Sequence, residues 1–231
     1  DSFLLEQREN ELSDNTINQY DYILKEFLTY IDNDFSKLKI INFKKYLKEE
    51  KKLSASSVNT WIVVINKYLK YINRKSLILK KERIQKEFSI KEALTVKDYK
   101  RLLRHAKRRN DHQSYYMMKI LAMTGCRISE LRYFTVENLN TFIEIKTKNK
   151  IREIAVVPEL LRELRKYSRE QRIKSGTLFP SFGKPSQMIS PSGFWKRMQK
   201  IAGSARVKKK KVHAHAFRHL YATVFLKQFP G

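Results

Sequence analysis

The strongest constraint on the fold is a repeat in the first third of the chain. The segments LSDNTINQYDYILKEFLTYID (12–32) and LSASSVNTWIVVINKYLKYIN (53–73) align position by position without a gap. Each opens with Leu-Ser, and serine is a favoured N-cap. Apolar residues then recur at the three- and four-residue spacing of one helix face. The repeat predicts two similar amphipathic helices, and SKLKIINFKKYLKEEKK (36–52) predicts a third, giving a small helical bundle.

A charged stretch follows this bundle. Residues 74–93 contain a run of charges without clear turn signals, which is typical of a connection between domains. Two copies of a repeat are too few for a solenoid. We therefore predict a helical domain over 1–80, a linker over 81–93 and a second domain over 94–231.

The second domain combines helices with a hairpin. Thr95 with Asp98 three residues later predicts a helix start, Gly125 ends a buried helix, and RISELRYF after it predicts another. The apolar spacing then changes to two in FIEIKTKNKIREIAVVP, which predicts antiparallel strands over Phe142–Thr147 and Arg152–Val157. The fold class is therefore mainly α with a small antiparallel β-sheet.

Three more helices are predicted downstream of the hairpin. One covers 159–173, and the next begins at Ser190 and Pro191 and ends before Gly203. The last lies in HAHAFRHLYAT (213–223), where helical spacing groups four apolar residues on one face: Phe217, Leu220, Tyr221 and Val224.

Composition restricts the class of partner. The chain has 49 Lys and Arg against 23 Asp and Glu, a net charge of +26, which favours a polyanion such as nucleic acid. A low-GC genome is an alternative source of abundant lysine. No segment resembles a membrane span or a signal peptide, and the single Cys126 excludes an intramolecular disulfide and a cysteine-based zinc cluster. We expect a cytoplasmic protein without a membrane partner.

Four polar positions in the second domain suggest a phosphate site. Arg127 follows a helix break, Lys146 or Lys148 lies on the hairpin, and His215 and Arg218 lie one turn apart beside the last apolar stripe. Arginine forks suit phosphate oxygens, lysine is a compact cation, and histidine carries a proton near neutral pH. The pattern predicts a metal-free phosphate clamp.

The segments that contain these residues resemble the tyrosine recombinases and phage integrases. LAMTGCRISELRYFTVENL is similar to the first arginine box of that family, KTKNKIREIAVVP to its lysine hairpin, and HAFRHLYAT to its His-x-x-Arg box. The resemblance implies that Arg127, Lys146, His215 and Arg218 are catalytic and that Glu130 gives structural support. A lysine before threonine favours Lys146 over Lys148. The repeated helices resemble the SAM-like core-binding domain of the family.

The same resemblance implies an activity and a set of partners. In the family, a tyrosine hydroxyl attacks a DNA phosphodiester and leaves a 3′-phosphotyrosyl link, and a homo-tetramer assembles on duplex DNA without a cofactor. A bacterium, phage or mobile element is the expected source. DNA contacts are expected from both domains, including the basic run RVKKKKVHAH, at Lys148, Lys150, Lys208, Lys209, Lys210 and Lys211.

One part of the family pattern has no match. Nothing after HAFRHLYAT resembles the Gly-His or Gly-Trp pair or the nucleophilic tyrosine, and Tyr221 is expected to pack in the core. We therefore expect a monomer that lacks the C-terminal segment and binds DNA without cutting it.

Two alternatives belong to other classes of protein. One is a non-catalytic DNA-binding protein derived from an integrase. The other is a metal-dependent nuclease using His213 and His215, but these side chains point about 200° apart in a helix and have no nearby carboxylate cluster. We expect no metal site, and we expect Cys126 to be a packed residue and not a nucleophile.

Overall fold

The computed structural model describes the backbone of residues 2–84, 93–147 and 150–228, with side chains except at 147, 150 and 225–228. The chain divides into two compact units, Asp1–Glu87 and Phe88–Gly231, and each has its own hydrophobic core. Most of the linker expected over 81–93 lies outside the described residues. The described part is mainly α with two small antiparallel sheets, which confirms the predicted fold class.

The described residues of the first unit form a bundle of four α-helices. They are α1 (Ser2–Glu9), α2 (Asp14–Ile31), α3 (Lys37–Glu49) and α4 (Ala55–Tyr71), followed by a 3₁₀ turn at Lys75–Leu77. Ser13 and Ser54 accept the backbone N–H groups of Thr16 and Ser57, so the caps predicted from the repeat are confirmed. Helix α1 was not predicted because its eight residues show no clear apolar spacing.

Aromatic side chains fill the core of this bundle. The ring of Phe43 on α3 packs against Phe27 on α2 at 5.3 Å and against Trp61 on α4 at 6.0 Å between centroids. Phe27 and Phe43 are completely buried. Trp61 occupies the position of Tyr20 in the repeat, and both side chains are buried, so the two repeated helices bury equivalent aromatic positions.

In its described residues, the second unit contains five α-helices, two hairpins and two short 3₁₀ helices. In chain order these are α5 (Val96–Arg108), α6 (His112–Thr124), a 3₁₀ helix (Ile128–Tyr133), β1 (Phe142–Thr147), β2 (Lys150–Ala155), α7 (Pro158–Glu170), β3 (Pro180–Ser181), β4 (Lys184–Met188), α8 (Pro191–Ser204), a 3₁₀ turn (Lys209–Lys211) and α9 (Ala214–Gln228). Helix α6 packs against α9 and also against α5. This packing places the segment that follows α6 beside the last helix.

Helix ends in this unit agree with several sequence signals. Thr95 and Asp98 form the predicted capping box, and Gly125 ends α6 in the left-handed region at φ 63°. Ser190 caps α8 with Pro191 in its first turn, but α8 continues to Ser204, so the prediction that it ends before Gly203 is wrong. The end of α7 is also three residues earlier than predicted, because the left-handed Arg172 breaks the helix.

The segment RISELRYF forms a 3₁₀ helix and not the predicted α-helix. Glu130 N–H bonds to the Arg127 carbonyl at 2.9 Å, a spacing of three residues. After Tyr133 the chain becomes extended because Val136 N–H bonds to the Gly176 carbonyl at 2.9 Å. Because the Val136 N–H is bonded to Gly176, it cannot continue the helical hydrogen-bond pattern, and the helix ends at Tyr133.

The first hairpin confirms the predicted β1 but shifts β2. The second strand begins at Lys150 instead of Arg152 and ends at Ala155, with Thr147 opposite Lys150. The β3–β4 hairpin was missed because its residues show no alternation of apolar and polar side chains. Among the described helices, none is long and apolar enough to cross a bilayer.

Candidate active site

Glu130 binds both the backbone and the guanidinium group of Arg127. The Arg127 backbone N–H donates to Glu130 Oε2 at 2.6 Å, and Arg127 Nη1 donates to Glu130 Oε1 at 3.1 Å. The Glu130 side chain is 5 % exposed, whereas the Arg127 side chain is 62 % exposed. The buried carboxylate therefore fixes one edge of the guanidinium and leaves the group open to a ligand from solvent.

A second arginine shares this carboxylate. Arg152 on β2 donates from Nη2 to Glu130 Oε2 at 2.5 Å, and its Nε is buried without a hydrogen-bond partner among the described residues. Burial alone would raise the pKa of Glu130, but the bonds from Arg127 and Arg152 outweigh it and hold the pKa below 4.5. Glu130 is therefore ionised at neutral pH.

Arg152 was missed as a site residue in the sequence. In β2 the side chains of Ile151 and Glu153 face solvent, while Ile154 is buried. Strand alternation therefore places Arg152 on the same inward face as Ile154. A charged residue on the buried face of a strand needs a partner of opposite charge. The position of Arg152 in the alternation of β2 was therefore the sequence signal that could have identified it as a site residue.

Helix α9 carries Arg218, the second predicted arginine, and places it beside the segment that contains Arg127. Arg218 Nη1 donates to the Gly125 carbonyl at 2.5 Å, two residues before Arg127. Phe217 and Leu220 are buried and anchor the helix on the core. Gly125 has no space for a Cβ, because one built there would lie 2.4 Å from Tyr221 Cδ1. Tyr221 thus packs on the turn that the Arg218 side chain binds.

The histidines of α9 lie at its N-terminal end. His215 is exposed, and its ring contacts the ring of His219 edge to face at 4.4 Å between centroids. His213 immediately precedes the helix, and its Nδ1 accepts the Ala216 N–H at 3.2 Å. His215 therefore belongs to the first turn of the helix that also carries Arg218.

The predicted lysine is connected to the same region through backbone contacts. Tyr133, at the end of the 3₁₀ helix after Arg127, donates its hydroxyl to the Lys146 carbonyl. The Lys146 side chain is exposed, and its Nζ lies 3.0 Å from Glu144. Lys148 and the side chain of Lys150 lie outside the described residues, so the choice between Lys146 and Lys148 stays a prediction.

The basic run before α9 divides into two parts. Lys208, Lys209 and Lys210 are exposed. Lys211 is half-buried, with its Nζ 3.9 Å from the Asp98 carboxylate in the first turn of α5. Three of the four lysines are therefore accessible to a ligand, and the fourth packs against the domain.

Cys126 lies beside Arg127 as a buried side chain. It is buried, and this burial raises the pKa of its thiol to about 11, so the thiolate is scarce at neutral pH. In the described ranges, no group of three or more His, Cys, Asp or Glu side chains is arranged to hold a metal ion.

Comparison with protein-family models gives two matches that follow the two units. Residues 92–228 match the phage integrase family, and residues 2–75 match the phage integrase N-terminal SAM-like domain. Among curated proteins, tyrosine recombinase XerD of Listeria monocytogenes serotype 4b (strain F2365) is 26% identical, with 95% of this chain and 81% of that protein covered. A tyrosine recombinase of Pseudothermotoga lettingae is 28% identical, with 94% and 80% covered.

Solved structures share the fold at low sequence identity. XerH recombinase bound to difH substrate in a pre-cleavage complex has a TM-score of 0.73 at 16% identity, covering 100% of this chain and 75% of that one. A lambda integrase dimer bound to a COC′ core site has a TM-score of 0.73 at 14% identity, covering 99% and 70%. The match to the phage integrase family covers more than half of the sequence, and the fold is that of the solved recombinases. The chain therefore belongs to the phage integrase family of tyrosine recombinases.

Proposed function

We propose that this chain binds duplex DNA and holds one phosphodiester in a metal-free clamp formed by Arg127, His215 and Arg218. The observation that carries the proposal is the bond from Arg218 to the Gly125 carbonyl, because it joins the last helix to the segment that presents Arg127. Membership of the tyrosine recombinase family supports site-specific recombination as the activity.

Each clamp residue has a role that follows from its chemistry. Arg127 and Arg218 stabilise the negative charge that develops on the pentavalent phosphate, and His215 donates a hydrogen bond or a proton to it. Lys146, with Lys148 as the alternative, protonates the 5′ oxygen as its bond to phosphorus breaks. In the cleavage step of the family, a tyrosine hydroxyl gives up its proton to solvent as its oxygen bonds to phosphorus, the bond to the 5′ oxygen breaks, and a 3′-phosphotyrosyl link results. No cofactor enters these steps.

Five tyrosines of the second unit, one buried and four half-buried, are poor nucleophiles. Burial raises the pKa of Tyr116 to about 12 and raises the pKa values of Tyr99 and Tyr167 further. The Tyr133 hydroxyl donates to the Lys146 carbonyl, and the Tyr221 ring packs on Gly125. We propose that none of these tyrosines attacks DNA and that the 231 residues bind DNA without cutting it.

The partners proposed for this chain are duplex DNA and further copies of itself. Structures of the same fold include recombinases bound to DNA, and one is a lambda integrase tetramer bound to a Holliday junction. We propose a homo-tetramer on DNA and a monomer in its absence. The tyrosine contacts above also favour a second candidate, a non-catalytic DNA-binding protein derived from an integrase, which would use the same clamp.

Removing the exposed lysines before α9 tests the DNA-binding proposal. The triple variant Lys208→Ala, Lys209→Ala and Lys210→Ala should bind a fluorescent duplex more weakly, with the slope of log K against log salt reduced by about 1 to 3 because phosphate contacts are lost. The matched control removes three exposed cations from one face of α7, namely Arg162, Lys166 and Arg169. Fluorescence anisotropy across a salt series measures both slopes.

The result separates local phosphate contacts from net charge. The control should keep the wild-type slope, and equal slopes in the two triple variants would contradict the proposed contact. Wild-type complexes formed on nicked duplex should show no covalent adduct on a denaturing gel. An adduct would overturn the proposed absence of a nucleophile and leave DNA binding intact.

A further inference from the structure

The helix that carries His215 and Arg218 begins with an unusual cap. Its N-cap residue is His213, and the Ala216 N–H is shared between the His213 carbonyl at 2.9 Å and His213 Nδ1 at 3.2 Å. Serine, threonine, aspartate and asparagine are the usual residues at this position, and none of them changes its accepting ability near neutral pH. An imidazole nitrogen accepts a hydrogen bond only while it carries no proton.

Two lysines and two further imidazoles lie near His213. Lys209 and Lys210 line the same surface cleft from the 3₁₀ turn before α9, together with the neutral side chains of Trp195 and Gln199 from α8. On α9 itself, His215 and His219 are close enough to act on the charge of His213. His213 is an exposed residue whose ring is partly desolvated, and this desolvation, followed by the two histidines, lowers the pKa of His213 from its usual value.

We infer that His213 is a positioning residue that fixes the first turn of α9, and with it His215 and Arg218, only while its imidazole is neutral. This inference rests on the proposed function insofar as those two residues bind phosphate. A protonated Nδ1 would direct its N–H at the Ala216 N–H, at the positive end of the helix dipole. The cap would then be lost at the end of the helix that presents His215.

Linkage fixes the direction of the pH effect. The folded-state pKa of His213 lies below its unfolded value, so the folded state binds the proton less tightly than the unfolded chain. The stabilisation is therefore complete above about pH 6.5 and is lost as the pH falls through the folded-state value. A serine at this position would cap the helix equally well above and below this transition, because its hydroxyl does not titrate near neutral pH.

Two variants separate capping from a general packing role. His213→Ser keeps an acceptor that does not titrate, and His213→Ala removes the acceptor. NMR would follow the His213 imidazole titration and the amide exchange protection factors of Ala216 and Phe217 between pH 7.5 and pH 5, with Leu121 in α6 as the internal reference. At pH 7.5, His213→Ala should lose about fivefold in protection at Ala216, and His213→Ser should match the wild type.

The pH response distinguishes the outcomes. In the wild type, the imidazole should titrate below pH 6.5, and protection at Ala216 should fall with the same midpoint. His213→Ser should show no such fall. A fall in protection whose midpoint differs from that of the imidazole titration, an equal fall in His213→Ser, or unchanged protection in His213→Ala would each overturn the inference.

DNA binding by the same proteins tests the link to the phosphate site. At pH 7.5, duplex affinity should fall about fivefold in His213→Ala and stay within twofold of the wild type in His213→Ser. Equal affinities for the wild type and His213→Ala would overturn the positioning role. If none of the three proteins binds DNA, the proposed function fails, while the protection factors still decide whether His213 is the cap.

Discussion

Replacing Gly125 with alanine is expected to lower the free energy of unfolding of the second unit by about 2–5 kcal/mol, since two costs add at this residue. The φ of 63° is a left-handed conformation that is unfavourable for a residue with a Cβ. The new Cβ would also lie 2.4 Å from Tyr221 Cδ1, so the Tyr221 ring on α9 and the turn that follows α6 must move apart. That movement would also disturb the carbonyl that Arg218 binds.

Urea unfolding measures this loss, and the chain supplies a matched control. Gly176 has a φ of 74°, and no atom lies within 4 Å of the place that a Cβ would take there, so Gly176→Ala should cost only the backbone term of about 1–2 kcal/mol. Combining Gly125→Ala with Tyr221→Ala should cost less than the sum of the two single changes, since the clash is then absent. Equal losses for the two glycine variants would show that Tyr221 does not occupy the space beside Gly125.

Changing Glu130 to glutamine should cost about 3 kcal/mol at pH 7, because two arginines lose their shared charged acceptor. The carboxylate accepts the Arg127 backbone N–H and binds the guanidinium groups of Arg127 and Arg152. The shape of the side chain is kept in Glu130→Gln, so the loss reports the charge. Arg127 should also become less ordered, and DNA affinity should fall with stability.

The pH profile of unfolding identifies the charge as the cause. The folded-state pKa of Glu130 lies below 4.5, so its stabilisation is present above that pH and is lost as the pH falls through the folded-state value. Glu130→Gln should lack this part of the profile. Glu170 on α7, which is exposed, provides the control, and Glu170→Gln should change stability by less than about 0.5 kcal/mol. A loss at Glu130 no larger than at Glu170 would contradict the buried role of this carboxylate.

Local signals predicted much of the first unit. Ser13 and Ser54 precede regular apolar spacing, and a helix start depends mainly on such neighbouring residues. The 3₁₀ helix after Arg127 was not predictable in this way, because the bond between Val136 and Gly176 that ends it joins residues far apart in sequence. The β3–β4 hairpin was missed for a different reason, because its residues lack the alternation of apolar and polar side chains that indicates a strand.

The candidate site shows the same division between local and long-range information. Resemblance of three short segments singled out Arg127, Lys146, His215 and Arg218, but not the contacts between them. Arg152 and Tyr221 act through partners in other elements, Glu130 and Gly125, so their roles depend on the tertiary fold. His213 was considered only as a metal ligand, whereas the structure places it at the cap of α9.

The most direct test of the clamp is a double-mutant cycle on DNA affinity with Arg127→Lys and Arg218→Lys. Lysine keeps the charge but lacks the planar fork, so the long-range electrostatic term is unchanged. If both arginines bind one phosphate, the two losses should be coupled by more than about 0.5 kcal/mol, whereas Arg127→Lys with Arg169→Lys on α7 should be additive. Additive losses for Arg127 and Arg218 as well would contradict a shared phosphate site.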